Sequence, residues 1–99
     1  MLGSLGPDMT LAAEIREVIE QCIRGDIGVH DMGRRLGAYV RAIAAAMDDG
    51  EARKLYGSAR ALDSELGYGH RTEEGVRGEL RRVLAEVDAE YHRTARSVS

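Results

Sequence analysis

Four stretches of this sequence carry apolar residues at helical spacing, and that periodicity constrains the fold more than any other feature. In the first, Leu11, Ile15, Val18, Ile19, Cys22 and Ile23 recur at steps of 4, 3, 1, 3 and 1, which is one face of a helix. The second carries Met32, Leu36, Tyr39, Val40, Ile43 and Met47, with Ile27 and Val29 leading in. The third carries Ala52, Leu55, Tyr56, Ala59, Leu62 and Leu66, and the fourth Val76, Leu80, Val83, Leu84, Val87 and Tyr91. No alternation of period two competes. The pattern predicts helices over about 10–24, 31–47, 51–66 and 73–93.

The starts and stops agree with these spans. Asp8 or Thr10, Asp31 and Thr72 are side-chain caps, and Glu73 and Glu74 complement the positive end of the last helix. Gly25-Asp26, Asp48-Asp49-Gly50 and Gly67-Tyr68-Gly69-His70 break the chain, the last as a reversal in which Gly takes positive φ. Gly33 and Gly37 each cost about 1 kcal/mol against Ala inside a helix. Their spacing predicts close backbone approach to a neighbour. Short connections make the expected fold an all-α, four-helix antiparallel bundle over residues 9–93, with one helix crossing obliquely. Residues 1–8 are expected to form a flexible tail, with Met9 a second candidate start, and residues 94–99 to fray.

A chain of 99 residues makes one domain. With four Tyr and no Trp or Phe, its core must be aliphatic. The single cysteine, Cys22, forms no intrachain disulfide, which fits a reducing cytoplasm. No apolar run approaches the ~18 residues that span a membrane, and no leader is visible. A cytoplasmic protein without a membrane partner is expected. The net charge of −3 argues against general nucleic-acid binding and permits a basic protein partner.

Nucleophilic catalysis needs a Cys or Ser beside a base. Cys22 lies in an apolar stripe, and Ser58 and Ser64 have no His at contact spacing. His30, His70 and His92 are too dispersed for a metal site. Asp88 and His92 stand four apart, but two ligands are not a site. Asp48-Asp49-Gly50-Glu51 lacks the alternating acids and closing glutamate of a calcium loop. Gly67-Tyr68-Gly69 follows a helix and has no Lys-Ser/Thr for phosphate. No catalytic residue, metal or cofactor is predicted, and the chain reads as no enzyme. Arg34, Arg35 and Arg41 could serve a small DNA-binding regulator, although a helix-turn-helix reader needs more phosphate contacts.

The acidic residues are more suggestive. Asp48, Asp49 and Glu51 cluster at the second interhelix turn, and Asp63 and Glu65 sit where the third helix ends. Carboxylates are disfavoured at a helix C-terminus, so a cationic partner could offset their cost.

The order of Ile23-Arg24-Gly25-Asp26-Ile27, a second helix, Ala61-Leu62-Asp63-Ser64-Glu65-Leu66 and Gly78-Glu79-Leu80-Arg81-Arg82-Val83-Leu84 resembles colicin D-type bacterial immunity proteins over residues 11–87. Those are small acidic helical bundles that neutralise a tRNA-cleaving toxin. The resemblance implies that Asp63 and Glu65 enter the RNA-binding cleft of a basic nuclease. The chain departs from that family in its short Gly-rich loop with His70 and Arg71. The expected function is therefore a non-enzymatic toxin inhibitor, monomeric or a weak homodimer, that binds through Asp48, Asp49, Glu51, Asp63 and Glu65. The rivals are an oligomerising helical interaction module, with Tyr56 or Tyr91 in its seam, and the DNA-binding regulator.

Overall fold

A computed structural model describes residues 10–92. The elements are α1 (Leu11–Ile23), α2 (Val29–Leu36), a 3₁₀ turn (Gly37–Tyr39), α3 (Val40–Ala45), α4 (Gly50–Gly67) and α5 (Glu73–Tyr91). The fold is all-α. The second of the four helical rods is broken into α2, the 3₁₀ turn and α3. The tails and the candidate cap Asp8 lie outside the described residues.

Three caps hold as their chemistry dictates. The side chains of Thr10, Asp49 and Thr72 accept hydrogen bonds at 3.0 Å from the amides of Ala13, Ala52 and Gly75. The helices α1 and α4 end alike. Gly25 and Gly69 take φ of 86° and 80°, the left-handed region that a residue with a Cβ resists. Gly25 N donates to the Cys22 carbonyl and Asp26 N to that of Gln21; Gly69 and His70 repeat the pattern onto Leu66 and Glu65. Both are Schellman closures.

Asp31 is not a cap. The second rod starts two residues earlier, at Val29 with Gly28 before it, because Val29 is fully buried and shares a row with Met32 and Leu36. Nor does that rod continue unbroken to Met47. Gly37 is a weak helix former, and the turn it opens winds at about 120° per residue instead of 100°. Three such residues rotate the face by roughly 60°. Ile43 still reaches the core, but Val40 is turned outward and is 53% exposed. Helix α3 stops at Ala45, and Met47 beyond it is 74% exposed.

Cross-rod contacts give the directions. Arg16 meets Asp88, and Arg77 Nε donates to the Cys22 carbonyl at 2.8 Å, so α1 and α5 are antiparallel. Arg53 Nη1 donates to the Ile43 carbonyl at 2.9 Å, while His30 near the other end of that rod faces Asp63, so α2–α3 runs against α4. Lys54 with Glu90 opposes α4 and α5. The rods therefore alternate in direction. Because the second is short and bent, α1 and α4 touch across the bundle's diagonal.

Ile15, Ile19 and Cys22 of α1 meet Val29, Met32 and Leu36 of α2, Leu55 and Ala59 of α4, and Val76, Leu80 and Val87 of α5 in one core. Each fully buried Leu or Ile stabilises by about 1.5–3 kcal/mol. No helix among the described residues is long and apolar enough to cross a membrane.

Candidate interaction surfaces

The five acidic candidates divide between the two ends of α4. Asp48, Asp49 and Glu51 stand at its N-terminus, and Asp63 and Glu65 in its last turns. At 1.5 Å per residue, Glu51 and Asp63 are separated by roughly 18 Å along the axis. The acids form two poles instead of one patch.

Four of the five have partners within the chain. Glu65 pairs with Arg71, whose guanidinium is held above its ordinary value chiefly by that hydrogen bond. Asp63 is half-buried at 21% side-chain exposure, and its Oδ1 lies 3.8 Å from Nδ1 of His30. A cation that the C-terminal pole was expected to draw from a partner is thus supplied by Arg71, in the turn after α4. At the other pole, Glu51 Oε2 lies 2.9 Å from His92 Nε2. Asp49 is occupied as a helix cap. Asp48 is exposed and, among the described residues, makes no ion pair. The i, i+4 spacing of Asp88 and His92 joins nothing: Asp88 turns to Arg16 and His92 to Glu51.

Asp63 has a structural part as well. Its side chain covers Gly33 so closely that a Cβ there would lie 2.7 Å from Asp63 Cγ. That is the close approach predicted for Gly33. Gly37 is looser: a Cβ there would lie 3.9 Å from Arg60 Nη1.

A second surface was missed in the sequence. The outer face of α3 has no covering element. Ala38, Val40, Ala42, Ala44, Ala45 and Met47 are all exposed. Ile43 alone between residues 38 and 47 is buried. A helix apolar on every side belongs in an interior, and this one is packed on one side only. The signal in the sequence was the lone charge, Arg41, in the whole 38–47 run.

Arginines border this face. The stretches 34–46 and 52–62 contain no acid and lie antiparallel against each other. Arg53 crosses the seam to the Ile43 carbonyl, and Arg60 packs 5.6 Å from the Tyr56 ring and donates to its hydroxyl at 3.0 Å. Arg34 and Arg41 stand one turn to either side of Gly37, the residue facing Arg60. Asp31 takes bonds from Arg34 and Arg35 and is itself held below the usual carboxylate range, chiefly by Arg34. It is the one carboxylate bonded to any of these five arginines among the described residues.

Cys22 is fully buried, and burial pushes its thiol above the ordinary value. Among the described residues no three His, Cys, Asp or Glu side chains gather as a metal site would require. The chain matches no family model, no curated protein and no solved structure.

Proposed function

We propose that this chain is a non-enzymatic helical interaction module that binds a protein partner over the outer face of α3. One observation carries the proposal: Val40 and Met47, in a stripe that should be core, stand 53% and 74% exposed in a run of ten residues with a single charge. Large apolar side chains grouped in this way mark contact sites more often than accidents of folding. The test is co-purification with the product of the adjacent gene, comparing wild type with Val40→Ser plus Met47→Ser. Loss of the complex at an unchanged melting temperature is expected. A complex of undiminished affinity would overturn the proposal.

The immunity-type inhibitor is the second reading, favoured by exposed Asp48, which has no cation against it among the described residues and stands next to Met47. Its partner would be a basic nuclease. Nuclease inhibition separates the two acidic poles: Asp48→Lys probes one, and Asp63→Lys plus Glu65→Lys the other. Inhibition unaffected by both would remove this reading.

A further inference from the structure

We infer that the partner seated on α3 is an acidic amphipathic helix, its apolar side on Val40 and Met47 and its carboxylates on Arg41, Arg53 and Arg60. This rests on the proposed role of the α3 face and adds the chemistry of the occupant. The chain carries 17 acids against 14 basic residues, so long stretches without an acid are unexpected by composition; the acids at their edge are Asp31, bonded to Arg34 and Arg35, and Asp48, next to Met47. Yet five arginines collect on the two facing stretches 34–46 and 52–62, where no acid occurs. Lys54, the sixth basic residue there, turns away to Glu86 and Glu90 on α5.

Two other occupants fit less well. In a two-fold dimer the same patch faces itself. That would set Arg41, Arg53 and Arg60, none of them bonded to a carboxylate among the described residues, against their own copies, a like-charge contact that opposes association. A nucleic-acid strand would satisfy the arginines through its phosphates. It would also cover Val40, Ala42, Ala44 and Met47, which offer a polar strand no donors. An amphipathic helix with carboxylates beside its apolar stripe meets both parts of the surface. Its apolar anchors at i, i+3 or i+4, and i+7 match a flat helical face. Its carboxylates accept the paired N–H groups of arginine. Arg53 and Arg60 are already oriented by the Ile43 carbonyl and the Tyr56 hydroxyl, so less side-chain freedom is lost on binding.

The experiment uses the full chain and three probes. One is a fluorescein-labelled amphipathic peptide with a Leu stripe flanked by Glu. The second is the same peptide with every Glu→Gln, and the third is a single-stranded oligothymidine. Anisotropy is read at low salt and at high salt. The Glu peptide is expected to bind at least about tenfold more tightly than the Gln peptide, with the difference shrinking in high salt. Arg41→Glu plus Arg60→Glu should remove that preference while leaving the weak Gln-peptide binding. Equal affinity for the Glu and Gln peptides overturns the acidic partner but leaves the α3 module standing. Glu-peptide binding unchanged by Val40→Ser plus Met47→Ser overturns both. Tighter binding of the oligothymidine than of the Glu peptide overturns the inference in favour of nucleic acid. Concentration-dependent dimerisation abolished by the Val40 and Met47 changes overturns it in favour of a second copy.

Discussion

Replacing Gly33 by Ala sets two effects of known sign against each other. In a helix interior Ala is favoured over Gly by about 1 kcal/mol, so an open site would be stabilised by that amount. Gly33 is buried and is not open. The new Cβ would lie 2.7 Å from Asp63 Cγ and 3.3 Å from Asp63 Cβ. Rotating Asp63 relieves the first contact and forfeits its approach to His30, which is weak because the imidazole is exposed. Rotation cannot move Asp63 Cβ, so α2 and α4 must also part by a few tenths of an ångström. Overpacking of this kind costs typically 1–3 kcal/mol. The net expectation is a loss of about 1 kcal/mol, or roughly 4–8 °C in Tm for a domain of this size. Urea unfolding followed by far-UV circular dichroism measures it, in a cycle with Asp63→Ala. With Asp63 shortened to Ala the carboxylate contacts go while Cβ stays, so Gly33→Ala should become about neutral, giving a coupling of about 1 kcal/mol between the two sites. If Gly33→Ala instead stabilises the otherwise wild-type protein by the full propensity gain, Asp63 is not wedged against α2. The account of that interface then fails.

Asp49→Ala should destabilise by about 1 kcal/mol in urea melts through loss of the α4 cap, without altering the α3 surface. Cys22 should resist Ellman's reagent in the native protein and react at the rate of unfolding; prompt native labelling would contradict its burial. Asp31 and Glu79 have folded pKa values below their ordinary 3.8 and 4.5, chiefly through hydrogen bonds from Arg34 and Arg82 respectively. Their contribution is complete above those ordinary values and is lost as pH falls through the lower folded ones. Stability should therefore decline with acid below about pH 4, and less steeply in high salt because these pairs are exposed. A decline setting in well above pH 5 would point to other groups.

Most of the helical register was legible because local and tertiary preferences agree. In α4 and α5 the predicted stripes match the buried rows Ala52, Leu55, Ala59, Leu62 and Val76, Leu80, Val83, Val87. Thr10 and Thr72 were readable for the same reason: a hydroxyl three residues before an amide has one obvious use. The second rod was not readable, since its fate turns on three residues of 3₁₀ winding. Phase drift of that kind leaves apolar spacing intact in the sequence while turning Val40 out of the core, and the helix ends before Met47. The acids were visible as a composition bias, but their partners were not. Arg71 reaches Glu65 through the turn after α4, and only the antiparallel packing of α2 on α4 brings His30 to Asp63. The arginine seam was hidden likewise, because Arg53 and Arg60 are distant in sequence from Arg34 and Arg41.

The brevity of α3 also sets how the protein opens. Six residues are well below the roughly 12–15 that an isolated helix needs to be even marginally stable. What holds it is Ile43 and the Arg53 strap to the Ile43 carbonyl. Its amides should trade hydrogen for deuterium through a small local excursion, while those of α1 and α5 wait for global unfolding. A ligand at a hundred times its Kd would slow that excursion about a hundredfold, and would do so only over this segment. The segment that is weakest in the free chain is therefore a built-in footprint, able to report occupancy in a crude mixture before any partner has been identified.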